Sequence, residues 1–147
     1  MTSNCIVVQG HIPDFDVQGS LTALDKQEMM GLSLQHLRKN NPKTHIILTG
    51  HGHRPLTSGL DVCDQIYWED KCRPLDSNGY VANMPGQFWF IGKGLMLAAK
   101  DCRTPIVKTR LDCLIGIPNI TEHCETILKK EQKQLLLTQQ TCWSERC

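Results

Sequence analysis

Polar and charged residues of chemically useful types follow three short apolar runs in this chain. Gln9, Gly10 and His11 follow the first, and Gly50, His51, Gly52, His53 and Arg54 follow the second; Lys108, Thr109, Arg110 and Asp112 close the third. Glycines let a backbone approach a ligand, and Arg54 and Arg110 have the planar fork that pairs with phosphate oxygens. Asp112 offers a hard oxygen to a divalent cation. This inventory suits a nucleoside diphosphate. Plainer readings stand beside it. A glycine after a strand is often only a turn, and Arg110 with Asp112 also makes an ordinary surface ion pair. His51 and His53 offer two imidazoles to a metal but have no third ligand at a recognisable spacing, and no GxGxxG or GxxxxGK pattern is present. His11 and His45 read as loop and surface residues.

The elements that must position these groups follow from hydrophobic patterning. Cys5 to Gln9 is a continuous β-branched run ending at Gly10, as expected of a strand buried on both faces. Residues 10–24 lack periodicity and read as a long loop. Asp25 and Glu28 are spaced as a capping box, and Met30, Leu34 and Leu37 then recur at helical spacing until Asn40-Asn41-Pro42. A second strand is predicted over His45 to Thr49, closed by Gly50, and a third over Asp64 to Trp68, with exposed loop to Ser77. Pro85 to Lys100 reads as a helix, and Pro105 to Lys108 as the last buried strand. Asn119 and Glu122 are spaced to cap a final helix carrying Ile127, Leu128 and Leu135, while Thr138 to Cys147 carries little pattern. The order β-α-β-β-α-β predicts an α/β fold with a mainly parallel sheet flanked by helices. Ligands of such sheets bind outside the carboxyl ends of the strands, where the polar groups above fall.

At 147 residues the chain is expected to form one domain spanning 1–147. Its 16 Lys and Arg against 15 Asp and Glu leave no broad basic surface for nucleic acid. No apolar run approaches the roughly 20 residues of a membrane span. The eight cysteines are scattered without a CxxC pair, so a cytoplasmic protein with mostly free, structural thiols is expected, although Cys142 and Cys147 are near enough to pair under oxidising conditions.

The segments IVVQGH (Ile6 to His11), MPGQFWFIGKGLMLAAK (Met84 to Lys100) and TPIVKTRLDC (Thr104 to Cys113) resemble the WavE-type lipopolysaccharide-synthesis glycosyltransferases, over roughly Ile6 to Asn119. That family has a VVQGP-like first strand, a Gln-bearing helix start and a K-x-R-x-D strand end. The resemblance implies a Rossmann-like GT-A fold, here without a full acceptor-binding half, that transfers a sugar from a nucleotide diphosphate sugar to a glycan acceptor in polysaccharide biosynthesis. It implies that Gln9, Gly10, His11, Gln87, Lys108 and Arg110 bind the nucleotide sugar, that Asp64 approaches base or ribose, and that Asp112 holds Mn²⁺ or Mg²⁺ on the diphosphate. Arg110 replaces the first carboxylate of the usual DxD pair, Gly86 stands where an arginine is expected, and Glu122 and Glu125 are the only early carboxylates after Asp112. An acceptor site supplied by a partner subunit or a second copy is therefore one expectation. The rival readings are a nucleotide-sugar-binding scaffold without turnover and, more remotely, a metal-dependent hydrolase using His51 and His53.

Overall fold

The computed structural model describes residues 4–12, 22–70, 83–101, 105–111 and 115–131, with side chains omitted at 83–86. Four strands, β1 (Cys5–Ile12), β2 (His45–Gly52), β3 (Gln65–Glu69) and β4 (Ile106–Arg110), form one sheet in the order β3-β2-β1-β4. Every neighbouring pair is parallel. Helices α1 (Ala23–Asn40), α2 (Thr57–Leu60), α3 (Asn83–Lys100) and α4 (Ile120–Lys130) complete the described elements. None of the described helices is long and apolar enough to cross a membrane. The fold is the expected α/β, Rossmann-like arrangement.

Strand alternation divides the core into two layers. Ile6, Val8 and Ile12 meet Leu34 and Leu37 of α1, together with Ile46, Leu48, Leu111 and Ile120. On the other face Cys5, Val7 and Ile47 meet Ala98 of α3. Helix α3 approaches closely because Gly94 lies against Val7 and Thr49, where an added Cβ would collide with Val7. From β1 to β3 the chain steps one way across the sheet, and β4 then lies on the far side of β1. The strand order thus reverses between β1 and β4.

Several expected boundaries shift, each for a physical reason. Strands β1 and β2 continue through Gly10 and Gly50 to Ile12 and Gly52, so these two glycines sit within strands as register partners. A Cβ on Gly50 would collide with the Gly10 carbonyl oxygen and the Trp68 ring, and one on Gly10 with Leu111. The glycines serve close packing, and in β2 the left-handed glycine is Gly52 (φ 90°), two residues later. Helix α1 is capped three residues before the expected cap: the capping box joins Thr22 and Asp25, with Asp25 N donating to Thr22 Oγ1 at 3.1 Å and Thr22 N to Asp25 Oδ2 at 2.9 Å. The expected cap of Asn119 with Glu122 does not form. Asn119 is left-handed (φ 51°) without a side-chain cap, and the buried Asn41 side chain accepts from Ile120 N at 3.0 Å instead. The four-residue α2 is too short to leave a periodic signal.

The amino edge of the sheet is closed by a charged clamp. Arg38, near the end of α1, donates to the carbonyls of Val62 (2.9 and 3.0 Å) and Thr44 (2.7 Å) and to Asp64 Oδ2 (2.5 Å). The same carboxylate oxygen accepts from Ile46 N at 2.7 Å, joining α1, β2 and the approach to β3. Burial opposes ionisation of Asp64, but the Ile46 amide, the Arg38 guanidinium and nearby His45 outweigh it and hold the carboxyl below its usual range. Asp64→Ala is expected to lower unfolding free energy by about 2 kcal/mol, since it strips two donors of a charged acceptor. Asp64→Asn, which keeps an acceptor oxygen, should lose less. Urea unfolding of the three proteins checks the ranking; equal midpoints would show that the clamp contributes nothing.

The described cysteines Cys5, Cys63 and Cys124 are free thiols. Cys5 is fully buried, and burial pushes the Cys63 thiol up to about 12. Cys72, Cys102, Cys113, Cys142 and Cys147 lie outside the described residues. Because the thiolate is the reactive form, a short iodoacetamide pulse should leave Cys5 and Cys63 unmodified in native protein and alkylate both after unfolding, as peptide mass mapping would report.

Candidate functional site

Parallel pairing brings the carboxyl ends of all four strands to one edge. There Gln9 of β1 is the register partner of Arg110 of β4 and of Thr49 of β2, and His11 partners His51. Alternation turns Gln9 and His11, Thr49 and His51, Tyr67 and Glu69, and Lys108 and Arg110 towards the α3 side of the sheet. Gln9 and Thr49 are buried, at 6% and 0% exposure, and Gln9 Oε1 and Thr49 Oγ1 have no hydrogen-bond partner among the described residues. Two adjacent unsatisfied acceptors are uncommon in a core, where buried polar atoms are nearly always paired. Lys108 and Arg110 are exposed on the same face, so the β1–β4 side of the edge combines buried acceptors with two cations.

A column of rings crosses this edge. The His11 and His51 rings stack at 4.2 Å with 17° between planes, and His51 stacks on Phe90 of α3 at 4.8 Å and 11°. Tyr67 meets Phe90 at a tilt, 6.3 Å away. Burial, assisted by the neighbouring His51 and by the Lys26 charge, lowers the His11 imidazole to about 4, so it is neutral at ordinary pH. Beyond Tyr67, Glu69 Oε1 accepts from Tyr67 Oη and Trp89 Nε1, both at 3.3 Å, while Lys93 Nζ lies 4.5 Å from the Trp89 ring centroid and 5.5 Å from that of Tyr67.

The fold brings together Gln9, Gly10, His11, Lys108 and Arg110, with Gly10 on the opposite face against Leu111. Gln87 is half-buried in the first half of α3, the half that also carries Phe90. Asp64 is a correction. It precedes a parallel strand and therefore lies at the amino edge, roughly 15 Å of strand away from the site, at about 3.3 Å per residue. There it serves the Arg38 clamp. Asp112 falls outside the described residues. His45 and His11 are strand residues, not loop residues; His45 opens β2 at the amino edge, 3.8 Å from Asp64. His51 is buried in the ring column whereas His53 is exposed beyond Gly52, so the two imidazoles sit in unlike surroundings. Arg54 pairs with Asp70 at 2.7 Å on the surface. Helix α4 starts at the amino edge, where Thr121 meets Thr44 at 3.2 Å, and Glu125 pairs with Lys129 along it. Thr49, Tyr67, Glu69, Trp89 and Lys93 escape the sequence reading, although two-residue alternation back from His51 would have placed Thr49 beside Gln9.

Among the described residues no group of three His, Cys, Asp or Glu side chains is arranged to hold a metal ion. The described residues of the β1–β4 rim include two cations, Lys108 and Arg110, of a kind suited to phosphate oxygens. Comparison of the chain with protein-family models, curated proteins and solved structures found no match.

The lowered His11 value has a definite sign for stability. Between about 4 and 6.5 the unfolded chain binds this proton and the native protein does not, so the contribution is complete above pH 6.5 and is lost as pH falls towards 4. His11→Phe keeps a stacked ring and removes the titration. Urea midpoints measured from pH 7.5 to 4 should fall less steeply in the variant; identical acid limbs would show that His11 titrates normally in the native state.

Proposed function

We propose that the chain is a nucleotide-diphosphate-sugar-binding domain of glycosyltransferase type, and that its donor site is the β1–β4 side of the carboxy edge. The observation that carries the reading is the register pairing of Gln9 with Arg110 where the strand order reverses, with Gln9 Oε1 buried and without a hydrogen-bond partner among the described residues. Reversal points of open α/β sheets form crevices, because the connections on either side leave to opposite faces. Arg110 can pair with phosphate oxygens bidentately, Lys108 adds a second charge, and Gln9 offers an acceptor to a ribose hydroxyl or base N–H.

In such a transfer the bond from the anomeric carbon to the diphosphate oxygen breaks, the acceptor oxygen bonds to that carbon, and the acceptor hydroxyl proton passes to a base. Negative charge grows on the departing diphosphate, where Arg110 and Lys108 would stabilise it. These groups serve the donor. Among the described carboxylates near this edge, Glu69 and Asp70, at the end of β3 two strands from β1, engage Tyr67, Trp89 and Arg54, and Asp25, at the start of α1, closes the capping box with Thr22. A glycan acceptor and its base would thus involve residues beyond these, in this chain or a partner. Asp112 remains the candidate ligand for Mn²⁺ or Mg²⁺.

Calorimetric titration of UDP, GDP, CDP and ADP into the protein tests the reading. At least one should bind, and Arg110→Gln should weaken it tenfold or more, equivalent to about 1.4 kcal/mol, while changing stability by less than about 0.5 kcal/mol. Repeating the titration of Asp112→Asn with Mn²⁺ and with chelator should show weakening only where the cation is present. A wild-type protein indifferent to all four nucleotides would overturn the proposal.

A further inference from the structure

We propose that a second copy of this chain packs on the outer face of α3, with the two α3 helices antiparallel about a two-fold axis at Gly92. Helix α3 lies chiefly on β1, β2 and β4, where Phe90, Gly94 and Ala98 are buried. At about 3.6 residues per turn, the opposite side of the helix carries Phe88, Trp89, Gly92, Leu95, Met96 and Ala99. None of the six is charged. Phe88 and Met96 are 66% and 67% exposed, and Trp89 and Leu95 are 42% and 40% exposed, although Trp89 Nε1 donates to Glu69. The corresponding outer row of α1 mixes Met29 and Leu32 with Asp25, Glu28, Gln35 and Lys39, as a helix face in water does. A helix that is apolar on both sides, by contrast, belongs inside a structure.

The row is complementary to itself. In an antiparallel pair centred on Gly92, Phe88 of one copy meets Met96 of the other, Trp89 meets Leu95, and the two glycines face each other. Gly92 has open space where a Cβ would stand, so it forms a waist between large side chains and lets a second helix approach. Thioether against aromatic ring is a favourable contact. Charge selects the same direction, because Asn83–Lys100 holds two lysines and no acid. A parallel pair would set one Lys100 beside the other, whereas the antiparallel pair places them at opposite ends. Lys93 lies at the flank, over the Trp89 and Tyr67 rings. The area is also sufficient. Side chains of this size present roughly 200 Å² each, so the four large ones expose on the order of 400 Å² per copy. Two copies remove about twice that from water, and their margins bring the total near the roughly 1,000 Å² of a specific interface. Phe90 meets His51 while Ala98 meets Cys5, so α3 runs against the strands and the pair leaves its two carboxy edges at opposite ends.

Sedimentation equilibrium of the full chain tests the pairing and should give twice the chain mass, falling towards the monomer on dilution. Phe88→Lys and Met96→Glu, both at exposed positions, should each weaken association tenfold or more while leaving the circular dichroism spectrum unchanged. An equimolar mixture of these two variants should associate again, because position 88 of one copy faces position 96 of the other. That recovery also shows that both variants fold. A wild type that stays monomeric at every concentration, association unaltered in either single variant, or a mixture that stays monomeric would each overturn the proposal. A monomeric wild type that sediments with phosphatidylglycerol vesicles would overturn it in favour of a membrane surface on the same face.

Discussion

The parallel pairing of β1 and β2 beyond Gly10 and Gly50 is the constraint on which the carboxy edge depends. At Gly50 no side chain fits: the Gly10 carbonyl and the Trp68 ring fill the volume a Cβ would need. With that face closed, the two strands remain paired for two more residues, and alternation turns His11 and His51 together to the α3 side. A break at the glycines would have left both histidines in loops, with no fixed neighbour for either ring. Gly94 plays the corresponding part in α3, since its close seat over Val7 and Thr49 brings Phe90 down to the level of His51.

The polar groups of the amino edge are tied into a network. At the amino edge Arg38 and Asp64 satisfy one another and the surrounding backbone, and Asn41 and Thr44 tie in the start of α4. Charged hydrogen bonds of this kind fix the angle of α1 and the start of β2 and β3. At the carboxy edge Gln9 Oε1 and Thr49 Oγ1 lack such partners among the described residues. An unpaired buried acceptor costs stability and is found where function needs a group held ready for another molecule.

The apolar runs made the layer order legible, because a continuous β-branched strand between helical crossovers admits few arrangements other than a parallel sheet. The strand ends were harder. Gly10 and Gly50 looked like turns because a glycine's tight packing role leaves the same letter in the sequence as its role in a turn. Asp64 looked close to the site because sequence adjacency to a strand does not say which edge it reaches; parallel pairing sends the residue before β3 to the edge opposite the residue after β1. Asn119 fitted a cap by spacing, yet a side chain 79 positions from Ile120, that of Asn41, took the role through tertiary contact. Gln9, His11 and Arg110 were legible as strand-end residues, whereas the ring column depended on register and on α3, neither of which single-strand patterns disclose.

The protonation state of His11 decides how charge is distributed on the edge. A charged imidazole would stand beside a buried His51 and near Lys26, where like charges and poor solvation both oppose it, and these are the causes that bring its value to about 4. The positive charge of the β1–β4 side then comes from Lys108 and Arg110 of β4. The cations thus stand on β4, while the ring column contributes a neutral packed surface beside them. Separating the two tasks between neighbouring strands lets the edge hold a cationic rim without placing a repelling charge inside the stack that β1, β2 and α3 build together.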